Sequence, residues 1–298
     1  LPAGNEHLQR EVPGWIRDQR LHIPGEGRRS RQSLEEFGTR ARMERLGCQF
    51  RPETGIVSLH ISYISLIMTR YSRQISLPEI GEDGQEKLHK ARVLIVGVGG
   101  LGSPIALYLA GAGVGTIGLV DADTVSISNL QRQILYAENE VGQPKVHCAA
   151  RKLQALNSDV KVHTYPFRLN QENVCRLITE YDIIVDGCDN FSTRYLISDS
   201  CSALNKPYVY GAIQGFEGQV SVFCYGERPK TYRDLFPDET ATLQMPTPDN
   251  SVVGVTPAIV GSVEASETLK LICGYGEVLA GKLWTVDLRT MQSFVLLL

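Results

Sequence analysis

The run Gly97-Val98-Gly99-Gly100-Leu101-Gly102 constrains this chain more than any other part of its 298 residues. It follows Val93-Leu94-Ile95-Val96, a continuous apolar stretch of the kind that forms a strand buried on both faces. A helical pattern from about Ser103 to Gly111 comes next. Glycines in that position permit a tight turn and let phosphate oxygens approach backbone N–H groups at the helix N-terminus. The plainer alternative is a glycine turn that serves only helix–strand packing. Asp121 lies at the end of a second strand pattern, Thr116–Asp121, where a carboxylate suits a ribose hydroxyl. Up to this point a dinucleotide and ATP fit equally well.

The alternation continues along the chain. Lys145–Asn157 has helical character, Val160–Tyr165 alternates like a strand, and Asn170–Glu180 is a helix candidate. Asp182-Ile183-Ile184-Val185-Asp186 is another buried strand, ending in acid. Tyr208–Tyr210 and Gly218–Tyr225 add strands of a more antiparallel style. The proline-rich text from Pro229 to Pro257 reads as a long loop and Val260–Ile272 as a helix. Strands at Leu283–Asp287 and Ser293–Leu298 close the chain. The expected fold class is α/β: a Rossmann-like, mostly parallel sheet with helices on both faces, extended by antiparallel strands in the C-terminal part.

Composition narrows the functional classes. A formal charge of −3 gives no electrostatic reason to expect nucleic acid. The seven cysteines are odd in number and form no CxxC, so neither a disulfide framework nor a zinc ribbon is indicated, and a reducing cytoplasm is the expected setting. The longest apolar run, Ile56–Ile67, is broken by serines and a histidine, and a membrane span needs about 20 apolar residues. Residues 1–67 hold ten arginines and no lysine. They read as an arginine-rich leader, poorly ordered or not native, with a docking arm as the other reading and a short helix at Glu35–Leu46. The working domain is expected from Met68 to Leu298.

The segment after Asp121 separates the two cofactors. Ser128-Asn129-Leu130-Gln131-Arg132-Gln133 brings a cation and two amides close behind the ribose acid, and Gly142-Gln143-Pro144-Lys145 adds a second cation at a helix start. Two cations suit a triphosphate whose pyrophosphate must leave, because charge builds on the leaving group. A dinucleotide needs only its diphosphate neutralised. The competing reading makes Arg132 and Lys145 ordinary solvated charges. Asp189, in Gly187-Cys188-Asp189-Asn190, follows the Asp182–Asp186 strand, at the strand end where open α/β sheets bind ligands. It suits a Mg²⁺ ligand against phosphates or, alternatively, the N-cap of a helix entered at Phe191.

Taken in order, Arg70-Tyr71-Ser72-Arg73-Gln74, GVGGLG, Asp121-Ala122-Asp123, SNLQRQ, GQPK and GCDN resemble the E1-like adenylating enzymes of the ThiF/MoeB/HesA type, over about Arg70 to Leu298. The resemblance implies ATP-dependent activation of the C-terminal Gly-Gly carboxylate of a small ubiquitin-like sulfur-carrier protein, with release of pyrophosphate. The carrier would be of the ThiS type (thiamine synthesis) or the MoaD type (molybdopterin synthesis). It implies nucleotide-binding roles for Gly97, Gly99, Gly100 and Gly102, with Asp121 on the ribose. Ser128, Asn129, Arg132 and Lys145 would contact phosphates, Asp189 would hold Mg²⁺, and Asn190 would lie beside the nucleotide. Arg73 would be lent to the ATP site of a neighbouring subunit, which implies a homodimer; a sulfurtransferase is a further possible partner. The alternatives are an NAD(P)-dependent oxidoreductase, which the cations disfavour, and an inactive half of an E1-like heterodimer.

The family's structural zinc, held by two CxxC pairs, is not expected. The first pair would fall at Thr231-Tyr232-Arg233-Asp234, where no cysteine stands. Thr240–Thr256 also lacks the reactive cysteine of some relatives, and Cys188 reads as packing rather than as a nucleophile. Met245, Pro246 and Pro248 are candidate clamps for the carrier's tail, and Ile213–Gly218 a candidate border of its channel.

Overall fold

The computed structural model describes residues 70–245 and 251–298. Readings that fall on residues 1–67, and on Pro246 and Pro248, lie outside them. Among the described residues, α1 (Gly81–Lys90) leads into β1 (Arg92–Val96), α2 (Gly102–Ala112) and β2 (Thr116–Val120). Then come α3 (Lys145–Leu156), β3 (Lys161–Tyr165), α4 (Val174–Thr179), β4 (Ile183–Asp186) and α5 (Phe191–Leu204). The hairpin β5 (Tyr208–Gln214) and β6 (Glu217–Phe223) follows, with short helices α6 (Tyr232–Leu235) and α7 (Glu239–Leu243). The long α8 (Val255–Cys273) and the pair β7 (Lys282–Asp287) and β8 (Gln292–Leu297) complete the described chain.

The strands form one sheet in the order β3-β2-β1-β4-β5-β6-β7-β8. The pairs from β3 through β5 are parallel, and those from β5 to β8 antiparallel. β1 shows why its sequence is apolar throughout. Val93 and Ile95 enter a core with Ile105, Leu109 and Val146 on one face, while Leu94 and Val96 join Ile178, Tyr181 and Tyr208 on the other. Burying each such side chain stabilises the fold by about 1.5–3 kcal/mol, so neither face tolerates a polar residue cheaply. β8 contrasts with this: all six of its residues are exposed, Phe294, Val295 and Leu296 included.

Three boundaries differ from the sequence reading. The Asn170–Glu180 helix begins only at Val174, because the Asn170 side chain accepts N–H groups of Glu172 and Asn173 and holds 170–173 in a turn. The Pro229–Pro257 stretch is not one long loop. It carries α6, closed by Thr231 and Asp234, and α7, whose N-cap Asp238 accepts the N–H of Ala241 at 2.9 Å. α8 starts at Val255, five residues before the apolar pattern made it visible. No helix among the described residues is long and apolar enough to cross a membrane.

Candidate nucleotide site

The carboxyl ends of β1, β2 and β4 meet where the strand order reverses around β1, the position at which doubly wound sheets bind ligands. Gly97 leaves β1 at a φ of 90° and lies directly against the backbone of Gly187, which leaves β4. A side chain on either residue would run into the other's carbonyl, so the crevice floor requires glycine twice. Beyond it, the N–H groups of Gly99, Gly100 and Leu101 have no acceptor among the described residues, at the start of α2. Unpaired N–H groups at a helix N-terminus form an anion site.

The segment after β2 folds back over this loop residue by residue. The Tyr136 hydroxyl donates to the Val98 carbonyl at 2.7 Å. The Gln133 amide faces Gly99, its Nε2 3.6 Å from where a Cβ would stand, and the Arg132 stem lies against Gly100. Arg132 donates to the Ser128 carbonyl at 3.2 Å and has no carboxylate partner among the described residues. Ser128 and Asn129 sit in the turn just before it. Lys145 opens α3 with its side chain buried, and its ammonium reaches Asp123 at 3.1 Å. Pro144 stands just before that helix rather than within its first turn. Asp121 accepts the N–H of Val98 at 2.9 Å and that of Asp123 at 2.8 Å, so the expected ribose acid also fastens the glycine loop.

Asp189 is exposed, and among the described residues its carboxylate meets only the neighbouring Asn190 amide at 3.4 Å. The N-cap alternative for Asp189 fails, because Asn190 caps α5 by accepting the N–H of Thr193 at 2.9 Å. A lone exposed carboxylate beside an anion site fits a Mg²⁺ ion, which binds through one or two carboxylates plus substrate phosphates. Gly97, Gly99, Gly100, Asp121, Ser128, Asn129, Arg132, Asp189 and Asn190 lie on the segments that follow β1, β2 and β4, with Gly102 and Lys145 at the helix starts they lead into. Arg73 does not. Tyr71 accepts the Asn157 amide at 2.7 Å and packs on Gly113, and Gln74 donates to the Ala112 carbonyl. That holds the 70–75 segment at the far end of α2, about 16 Å from the glycine loop at 1.5 Å per residue.

Beneath Asp189 lies a cluster that the sequence reading left out. Asp186, fully buried, accepts from the Cys188 N–H, the Cys188 thiol, the Arg194 Nε and the Tyr208 hydroxyl, at 2.7–3.2 Å. Arg194 also donates to the carbonyls of Cys188 and Gly211, at 2.9 and 3.3 Å. Burial, then the Asp186 charge, pushes the Cys188 thiol well above its usual range, which disfavours the reactive thiolate. Glu264 of α8 completes the cluster against Gly211, and neither of its carboxyl oxygens has a hydrogen-bond partner among the described residues. Burial, then Asp186, raises its pKa well above the ordinary glutamate value, which favours the neutral acid.

The zinc position is built differently. The carboxylate of Asp234 accepts the N–H and hydroxyl of Thr231 at 2.8 and 3.0 Å and pairs with Lys230 at 3.2 Å. Those residues offer no thiolate or imidazole, and their one carboxylate is already engaged, so they do not fit a zinc site. Arg233 ties the same turn to α5 and α7 through Asp199 and Glu239.

Known proteins share this frame. The chain is 48% identical over 225 residues to a sulfur carrier protein adenylyltransferase of Thermus thermophilus, a match spanning 74% of this chain and 83% of that one. It is 49% identical over 226 residues to a probable molybdopterin-synthase adenylyltransferase of Porphyra purpurea, across 75% of this chain but only 59% of the relative. Among solved structures, E. coli MccB with ATP superposes with a TM-score of 0.68 at 25% identity, covering 76% of this chain and 71% of that one. The ThiF family profile matches residues 71–297. With that match spread over nearly every described element, the chain belongs to the ThiF family.

Proposed function

We propose that this chain uses ATP and Mg²⁺ to adenylate the C-terminal glycine carboxylate of a small ubiquitin-like sulfur-carrier protein. The carrier is of the ThiS type or the MoaD type. The observation that carries the reading is the pair of cations, Arg132 after the turn at Ser128–Asn129 and Lys145 opening α3 against Asp123, with the open N–H groups at Gly99–Leu101 and the exposed Asp189 carboxylate after β4. A dinucleotide would leave most of that charge without use. The carrier class rests on relatives named for sulfur-carrier and molybdopterin-synthase adenylylation.

In the step, a carrier carboxylate oxygen bonds to the α-phosphorus while the bond to the α–β bridging oxygen breaks. The electron pair leaves with pyrophosphate. The nucleophile is already ionised, so no side-chain base is needed, and the residues act by position and charge. Gly99–Leu101 hold phosphate oxygens, Asp121 orients the ribose, and Ser128, Asn129, Arg132 and Lys145 meet the charge that develops on the departing pyrophosphate. Asp189 would hold a Mg²⁺, which would supply further neutralisation of the phosphates when bound. Arg73 serves the site of a second subunit in a homodimer.

ATP–pyrophosphate exchange with purified Gly-Gly-terminated carriers tests the reading. Carrier-dependent exchange is expected. Absence of exchange with every carrier, together with tight NAD binding, overturns it. Mixing Arg73→Ala with Asp189→Ala chains is expected to restore part of the activity, because each mixed dimer contains one intact site; no recovery defeats the shared-site arrangement.

A further inference from the structure

Asp189 has almost nothing of its own to hold it. Its carboxylate meets one neighbouring amide at 3.4 Å, and it sits in an exposed turn between β4 and α5. The residue before it is held from both backbone ends. The Cys188 N–H donates to Asp186 at 2.9 Å, and the Cys188 carbonyl accepts from Arg194 at 2.9 Å. Arg194 is fixed in turn by Asp186 and by the Gly211 carbonyl of β5, and Asp186 by the Tyr208 hydroxyl. Asp186 belongs to β4 and Arg194 to the first turn of α5, so the turn is clamped to both elements that flank it.

A buried ion pair of this kind gives little net stability, because desolvating both charges offsets most of their attraction. Its placement gives it another role. We propose that Arg194 and Asp186 are positioning residues for the Asp189 carboxylate, fixing the turn so that Asp189 meets the divalent cation that accompanies the nucleotide. The inference rests on the nucleotide reading above. Neither side chain touches the ligand; both act through the backbone of Cys188. Rigid support of this sort sets how much of a ligand's ordering cost falls due at binding.

The test measures ATP affinity calorimetrically, with and without Mg²⁺, on the full chain. For the native protein, Mg²⁺ is expected to tighten ATP binding, and Asp189→Ala to remove that increment. Arg194→Lys keeps the charge but lacks the planar fork that serves Asp186, Cys188 and Gly211 together. It is expected to lose about tenfold of the Mg²⁺-dependent increment and to leave metal-free affinity unchanged. Excess Mg²⁺ is expected to restore its exchange rate. Retention of the full increment overturns the inference, as does an equal loss of metal-free affinity, which would mark a scaffold for the whole site. Should Arg194→Lys fail to fold, Tyr208→Phe removes one of the four donors to Asp186 and keeps the ion pair. It is expected to lose about threefold of the increment, and an unchanged increment overturns the inference. Absence of ATP binding by the native chain would instead bring down the nucleotide reading itself.

Discussion

Asp186 and Asp189 are three residues apart on one strand-and-turn, yet their surroundings are opposite. Asp186 is sealed from solvent with four donors at its two oxygens. Asp189 is exposed, with a single long contact to its neighbour. The same division runs through the cations. Arg194 spends its guanidinium on Asp186 and two carbonyls, whereas Arg132 meets one carbonyl and no carboxylate among the described residues, its stem against Gly100. Saturated groups define the crevice's shape, and open ones are available to what enters it. Electrostatic catalysis needs that second class, charges fixed in place before the reaction and not already neutralised.

The division can be broken by experiment, and the largest effect belongs to the open groups. Asp189→Ala and Arg132→Ala are each expected to lower ATP–pyrophosphate exchange by about a hundredfold to a thousandfold. Their melting temperatures should stay close to that of the native chain. A variant of either that keeps full exchange, or that melts much earlier, erases the contrast. Arg194→Ala probes the saturated class, because it leaves the Asp186 charge buried without its partner. It is expected to cost about 3–5 kcal/mol, a melting shift on the order of 10 °C for a domain of this size. A shift as small as that of Asp189→Ala would mean that the deep cluster is dispensable for shape.

Glu264 sharpens the comparison through pH. Its pKa is raised in the folded chain, so the folded state keeps its proton after the unfolded state has released it. The resulting stability is fully present below the ordinary glutamate value of 4.5 and is lost as pH rises toward the folded pKa. Glu264→Gln removes this dependence. Its melting temperature is expected to gain on the native one steadily between about pH 4.5 and pH 7. Parallel curves for the two proteins would show that the acid is solvated after all. Cys188→Ala should have the smallest effect, an exchange rate within about threefold of native, because three other donors remain on Asp186 and a burial-raised thiol performs no chemistry. Abolished exchange would return Cys188 to the list of reacting groups.

The open groups are the ones that could be read from the chain alone. β1, the glycine loop and α2 announce themselves because strand, turn and helix signals lie side by side over some twenty residues, and GQPK and GCDN sit at element ends that local pattern finds. The deep cluster could not be found that way. Its acid ends β4, its cation is eight residues on, its phenol 22 residues on, and its second acid lies in α8, so only the folded sheet brings them together. Asp186 was visible as an acid ending a buried strand, but nothing nearby indicated its partners. The α6–α7 region was misread for a related reason: prolines punctuate its text, while Thr231/Asp234 and Asp238 cap helices too short to show a period.

If Arg73 serves a partner's crevice as proposed, its anchorage at the far end of α2 would tie catalysis to concentration. Held about 16 Å from its own crevice, Arg73 would act in catalysis only through the crevice of another copy. The rate per chain would then fall on dilution, in step with dissociation of the pair, even though each separated chain remained folded and able to bind nucleotide.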